Sequence, residues 1–238
     1  MELNVIGCYG PVSSKEGPTS SYLIKTNEKN ILLDIGAGSL VNLQKVINID
    51  DIDLIILSHL HSDHMNDLNI LRYYLENTGK KMDILLPNEP EKEYLEIASL
   101  DCFNTGVITD NMILNIEGIE FSFLSGDHPY KSYMTKISSE GKTFVYSGDT
   151  CLCDNLKVFL EGADYALLDG AFTEEHKGNP KAHMLASECA KVCEEVGVGK
   201  LMITHLSPFV DRKEYLLDAK KGSNLEATLA VPLVKVEI

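Results

Sequence analysis

Residues 54–68 read LIILSHLHSDHMNDL. Four apolar residues in succession, with no helical spacing, read as a short strand buried on both faces. Directly behind them, within six positions, stand His59, His61, Asp63 and His64. Two readings are open at this point, a metal site or a polar turn. In extended chain, residues two apart point the same way, so His59 and His61 can address one centre. Asp63 and His64 follow as the chain turns into a helix expected to start near Met65, and they can address a second centre close by. The pattern differs from the helical H-E-x-x-H, whose histidines stand one turn apart. Imidazole suits zinc and iron, whereas a carboxylate can bridge two cations or favour harder ones.

Working outward, the same arrangement recurs. ILLDIG delivers Asp34, FSFLSGDH delivers His128, FVYSGD delivers Asp149 and LMITH delivers His205, each at the C-terminal edge of an apolar strand-like run. Turn chemistry alone does not account for five such placements. Further strand-like runs are LNVIGC, SSYLIKT, MDILLP, YMTKIS, DYALLDG and TLAVPLVKVEI. Helical patterns occupy roughly 39–48, 64–78, 90–99, 154–161, 183–197 and 212–220. Each half of the chain opens with adjacent strands and then gains helices. With no linker or repeat between the halves, residues 1–238 are expected to form one α/β domain, two sheets packed together with helices outside.

Bulk composition excludes several function classes. Apolar and charged fractions of 44% and 24% are those of a soluble globular protein. No apolar run reaches the roughly 20 residues that span a bilayer, and MELNVIGCYG lacks the basic and apolar stretches of a secretory leader. A cytoplasmic location is expected. The six cysteines (8, 102, 151, 153, 189 and 193) are then reduced thiols rather than a disulfide framework. Cys189 lies on a helical apolar stripe with Leu185, Val192 and Val196, which reads as core. Cys151 and Cys153, beside Asp149, are less easily assigned. With 21 basic and 36 acidic residues, the net charge is −15. Polyanion binding rests on Lys and Arg contacts to phosphates, so tRNA or any long nucleic acid is a poor partner. A small substrate, even an anionic one, remains compatible, because a bound metal's local charge can overcome the distant field.

The full H-x-H-x-D-H resembles the signature of the metallo-β-lactamase superfamily, and the resemblance runs in order along nearly the whole chain. It implies the four-layer αββα sandwich of that family, two mixed β-sheets flanked by helices. Asp34 in LLDIGAGS matches the structural aspartate that supports the metal loop. Carried over position by position, His59, His61 and His128 would bind one divalent metal, and Asp63, His64 and His205 a second, with Asp149 bridging. Paired zinc is the expected cofactor, with manganese or iron as alternatives. His176, in EEHKGN, fits no motif and is expected to be merely exposed.

Local motifs choose among branches of the family, since fold does not. GDHPYKSYMTKI differs from the GHTPGH arrangement of the glyoxalase II thioesterases, and an aspartate, Asp63, occupies the second motif, unlike the cysteine of the zinc β-lactamases' second site. The succession His128, YMTKI, YSGDT, LLDGAF and AHMLASECAKVCEEV is similar to ribonuclease Z and its phosphodiesterase relatives, as is the opening GCYGPVSSKEGPTSSYLI. That resemblance makes His183 the histidine that assists catalysis without binding metal, with Asp169 holding it. Its structural alternative is a polar residue that starts a helix. Catalytic candidates are therefore His183, Asp169 and Asp63, the last also a ligand. Lys131, just beyond His128, is a candidate for holding an anionic group, or else a solvated lysine. Ribonuclease Z inserts a tRNA-gripping arm between the third and fourth motifs, where here only 21 positions (149 − 128) intervene, enough for a hairpin. The expected reaction is hydrolysis of a small phosphodiester by a bridging hydroxide. Alternatives are a lactonase or other carboxyl-ester hydrolase, and, of another class, a redox di-iron or metal-binding protein. The outer side of helix 64–78 is a candidate homodimer face.

Overall fold

The computed structural model describes residues 1–176 and 182–238 without the side chain of His176, so the expectation for that histidine lies outside the described residues. β1 (Glu2–Gly7), β2 (Ser21–Lys25) and β3 (Asn30–Leu33) form an antiparallel meander. The chain then crosses through α1 (Ser39–Val46) to β4 (Leu54–Ile56), through α2 (Ser62–Met65) and α3 (Leu68–Thr78) to β5 (Met82–Leu86), and through α4 (Glu91–Ala98) to β6 (Phe103–Val107). From β3 onward these strands are parallel.

The second half repeats the plan. β7 (Ile113–Ile116), β8 (Ile119–Ser125), β9 (Tyr133–Ser139) and β10 (Lys142–Tyr146) are an antiparallel meander. After it come α5 (Asp154–Leu160), β11 (Tyr165–Asp169), α6 (Ala186–Val196), β12 (Lys200–Thr204), α7 (Arg212–Gly222) and β13 (Ala227–Leu229), the strands now parallel. β14 (Lys235–Glu237) returns to the first sheet beside β1. The two seven-stranded sheets therefore run β14-β1-β2-β3-β4-β5-β6 and β13-β12-β11-β10-β9-β8-β7.

Strand alternation sorts the apolar side chains into layers. Ile31, Leu33, Leu54 and Ile56 join Phe121, Phe123, Phe144 and Tyr146 in the core between the sheets. Their neighbours Leu32, Ile55 and Leu57 point the other way, onto Leu40 and Leu43 of α1 and Leu68, Leu71 and Leu75 of α3. Burial on both faces is why these strands read as unbroken apolar runs. On the far side, Leu156, Phe159, Ala190 and Tyr215 bring α5, α6 and α7 against the second sheet. Cys189 and Cys193 are fully buried in that layer, in line with the core reading. This is the expected αββα order. Among the described residues no helix is long and apolar enough to cross a membrane.

Four expectations need correction. β6 and β7 are strands that the sequence does not announce, and TLAVPLVKVEI is not one strand but two, β13 and β14, in different sheets with Pro232 between them. The pattern 64–78 breaks into α2, starting already at Ser62, and α3, because Asp67 leaves the helix to cap α1. Its carboxylate accepts the backbone N–H of Gly38 (3.0 Å) and of Leu40 (2.9 Å). Finally, α6 begins at Ala186, so His183 does not start a helix but precedes it in a bend, before Leu185, which bridges to Phe172. On α3, Ile70 and Tyr73 are exposed and Leu71 and Leu75 buried.

Candidate metal centre

The polar strand ends converge on the carboxyl side of the parallel strands, where open α/β sheets place their ligands. Two corners do much of the aiming. Asp34, after β3, and His205, after β12, both adopt left-handed backbone (φ 58° and 55°). That conformation is uncommon for residues other than glycine and costs free energy that the surroundings must over-determine. Gly36 and Gly10 permit the close approach of the surrounding chain. A Cβ on Gly36 would lie 2.1 Å from the carbonyl oxygen of Asp63, and one on Gly10 would fall 2.1 Å from Cε1 of the His205 ring. His128 sits in the loop joining β8 to β9, and β9 joins β10 through a two-residue turn, Glu140–Gly141, with both residues at positive φ.

Hydrogen-bond partners fix where the imidazole protons lie, because carbonyl and carboxylate oxygens only accept. His128 Nδ1 donates to the carbonyl of Ala182 (2.9 Å), His64 Nδ1 to Asp34 (2.7 Å) and His183 Nδ1 to Asp169 (2.8 Å). Ser58 spends its hydroxyl proton on Asp34 (2.8 Å), so His59 Nδ1 is the donor to Ser58 Oγ (3.1 Å). His59 and His128 are thereby left with an Nε2 lone pair directed inward, and His64 directs Nε2 to the same centre, where a cation would replace its proton. His59 Nε2 lies 2.9 Å, and His128 Nε2 3.2 Å, from the same atom, His61 Nδ1. One proton on His61 satisfies only one of those contacts. Likewise His64 Nε2 and Asp149 Oδ1 lie 3.2 Å apart, both buried and both without a hydrogen bond. Lone pairs gathered in this way are the donor set of a cation.

Three overlapping groups of nitrogen and oxygen donors result: His59, His61, His128 and Asp149; Asp63, His64 and His205; and Asp149, Asp169, His183 and His205. The third is the weakest, because Asp169 and His183 are already committed to each other. Asp169 also accepts the backbone N–H groups of Thr150 and Ala171, both at 3.1 Å. Asp149 belongs to two groups. Its Oδ2 stands 3.1 Å from His205 Nε2 and 3.7 Å from His59 Nε2.

Electrostatics points the same way. Burial pushes His59, His61 and His128 below the ordinary imidazole range, which suits neutral ligands. Burial also opposes charge on His64 and His205, but nearby carboxylates outweigh it. Asp149 and Asp34 hold His64 well above its ordinary value, and Asp149 and Asp63 raise His205 to about 10. Burial likewise disfavours the Asp149 carboxylate, yet the facing His205, His64 and His59 hold it well below the carboxylate range. The carboxylates thus demand positive charge in the centre. Protons on His64 and His205 meet that demand where bound cations would replace them.

Asp34 accepts four hydrogen bonds while fully buried, from the N–H and hydroxyl of Ser58 (2.7 and 2.8 Å), from His64 and from Tyr146 Oη (2.7 Å). Sequence reading missed Ser58 and Tyr146. Ser58 carried a signal in its place directly before His59, whereas nothing marks Tyr146 among the chain's ten tyrosines. His183 stacks on His205 (ring centroids 4.8 Å apart), and Tyr130 packs on His61 (3.9 Å). Lys131, after Tyr130, has its ammonium held by the exposed Asp110 (3.2 Å) and over the Tyr133 ring.

Residues 29–206 match the Beta-lactamase superfamily domain. The chain is 26% identical to the "Probable metallo-hydrolase YhfI" of Bacillus subtilis (strain 168) over 97% of each protein. The YhfI crystal structure superposes with a TM-score of 0.93, covering 99% of each chain. Ribonuclease Z of Clostridium acetobutylicum is 24% identical over 93% of each protein, in an alignment of 290 positions. A structure described as a new diphosphatase from the PhnP family shares the fold at 18% identity, with a TM-score of 0.75 and coverage of 100% of this chain and 97% of that one.

Proposed function

This chain belongs to the beta-lactamase superfamily, and from that premise we propose that it is a metal-dependent hydrolase of small phosphodiesters with a two-cation centre. The observation that carries the reading is the inward convergence of nitrogen and oxygen donor atoms, with the outer nitrogens of His59, His64 and His128 already tied to protein acceptors. His59, His61 and His128 would hold one divalent cation, and Asp63, His64 and His205 the other, with Asp149 shared. The nitrogen-rich donor set favours zinc. Bound cations supply Lewis acidity and lower the pKa of water towards about 7.

The remaining chemistry belongs to the chain's own residues. With Nδ1–H committed to Asp169, His183 keeps Nε2 as the nitrogen that hands a proton to the leaving oxygen. Asp169 fixes the ring's orientation and stabilises the imidazolium. Asp63 Oδ2 and His205 Nε2, 3.2 Å apart, would face the same cation. Two names among the relatives, a ribonuclease and a diphosphatase, denote cleavage at phosphorus. Small size of the substrate is supported by the bare two-residue β9–β10 turn and by the net charge of −15. It is also supported by the alignment to ribonuclease Z, in which at least 52 of 290 positions have no counterpart in a chain of 238 residues.

The test is a panel of bis(4-nitrophenyl) phosphate, cyclic nucleotides, lactones and thioesters, assayed with zinc- and manganese-loaded protein beside metal analysis. Turnover of phosphodiesters with two metal equivalents is expected. Turnover confined to lactones or thioesters would move the protein to the carboxyl-ester branch.

A further inference from the structure

Two buried tyrosines cross between the sheets directly beneath the centre. Tyr146, on β10 of the second sheet, donates its hydroxyl proton to Asp34, at the end of β3 in the first. Tyr22, on β2 of the first sheet, pairs its hydroxyl with Thr204 Oγ1 (2.5 Å), at the end of β12 in the second. The rings lie against each other with centroids 5.1 Å apart, and both residues are almost wholly buried.

Each hydroxyl ends at one of the two left-handed corners. Tyr146 reaches Asp34 itself, which orients His64, and Tyr22 reaches the residue before His205. His64 and His205 in turn stack nearly parallel, 5.2 Å apart at 16°. His64, like Asp63, follows β4 of the first sheet, whereas His205 follows β12 of the second. The other group has a different dependence. His128 is oriented by the Ala182 carbonyl and His61 packs on Tyr130, while His59 is oriented by Ser58, one bond further from Asp34 and Tyr146 than His64 is.

We infer that Tyr22 and Tyr146 are positioning residues that set the spacing of the two sheets at the Asp63–His64–His205 cation site. The inference rests on the two-cation reading above. The partners bonded to metal ligands are worth up to about 10–100-fold in metal affinity; Tyr146 acts through such a partner, Asp34, and Tyr22 through the residue before His205, so removing either hydroxyl weakens that site first. A general loss of core stability would weaken both sites together.

The experiment uses the full, zinc-loaded chain and the variants Tyr146→Phe and Tyr22→Phe, which keep the rings and lose only the oxygens. Retained zinc is counted against graded chelator. Asp63→Asn serves as the reference for loss at this site, and Tyr165→Phe as a buried tyrosine far from it. Each of the two variants is expected to release one equivalent at roughly 10–100-fold lower chelator concentration and to hold the other as the wild type does. Tyr165→Phe is expected to release both as the wild type does. Parallel loss of both equivalents, or no shift in either, overturns the inference while leaving the two-cation reading intact. A wild type that holds a single equivalent overturns both. If Tyr146→Phe fails to fold, Tyr22→Phe alone decides by the same criterion.

Discussion

His183 shows how little a residue's sequence neighbours say about its task. It stands outside any helix, is held by Asp169 at 2.8 Å and stacks on His205. His183→Ala is expected to keep both metals and lose about 10²–10⁴-fold in turnover, the usual worth of a proton donor. Loss of metal would instead make it a ligand. Burial works against its charged form, but the carboxylate of Asp169 more than offsets this and raises its pKa. A proton donor works while protonated, so activity is present below that pKa and lost as pH rises through it. Asp169→Asn removes the charge that raises the value, and the alkaline limb of the kcat/KM profile is expected to move to lower pH. An unmoved limb would assign the proton to another group. The residue types of the candidate centre and their order were legible in the sequence, because H-x-H-x-D-H and polar strand ends are written in side chains. The atoms that fix the tautomers were not. One acceptor is the backbone carbonyl of Ala182, which any residue supplies, and Tyr146 lies 112 positions from the carboxylate it serves (146 − 34).

Among the elements, interior strands were legible and edges were not. β6, β7, β13 and β14 are the four edge strands of the two sheets, and they are the ones missed or merged. Interior strands such as β4 and β11 are buried on both faces and read as apolar runs, and β8 keeps a clear buried–exposed alternation. An edge is not so constrained, and Ile113 of β7 lies exposed while β6 reads FNTGV. The loops between elements obey a local rule of their own, visible at Asp67. Its carboxylate supplies the cap that Gly38 cannot, at the head of α1. Asp67→Ala is expected to lower stability by about 1–2 kcal/mol, the cost of a lost helix cap, with an unchanged urea m-value. A shift below about 0.3 kcal/mol would show that water replaces the cap. Gly36→Ala forces a methyl against the Asp63 carbonyl. Its expected signature is a lowered metal count at near-native helix content, read by metal analysis beside circular dichroism.

At the scale of the whole molecule, the repeated order of meander followed by crossovers was readable before any geometry, and it fixes the paired sheets. Charge is the other global property. With −15 net, the protein is not expected to be retained on tRNA at physiological salt, which filter binding checks. The division of the centre between the sheets has a kinetic consequence. Asp34 and His205 stand 171 positions apart (205 − 34), and closing such a span costs about 4.5 kcal/mol of chain entropy. No early, local folding event can assemble the site, so the cations engage only after the sheets have docked. Interactions absent from the folding transition state act on the unfolding rate alone. Added zinc is therefore expected to leave refolding rates near those of the metal-free chain and to slow unfolding. The brake would amount to about 2.7 kcal/mol, roughly a hundredfold, for each site at free metal a hundred times its dissociation constant.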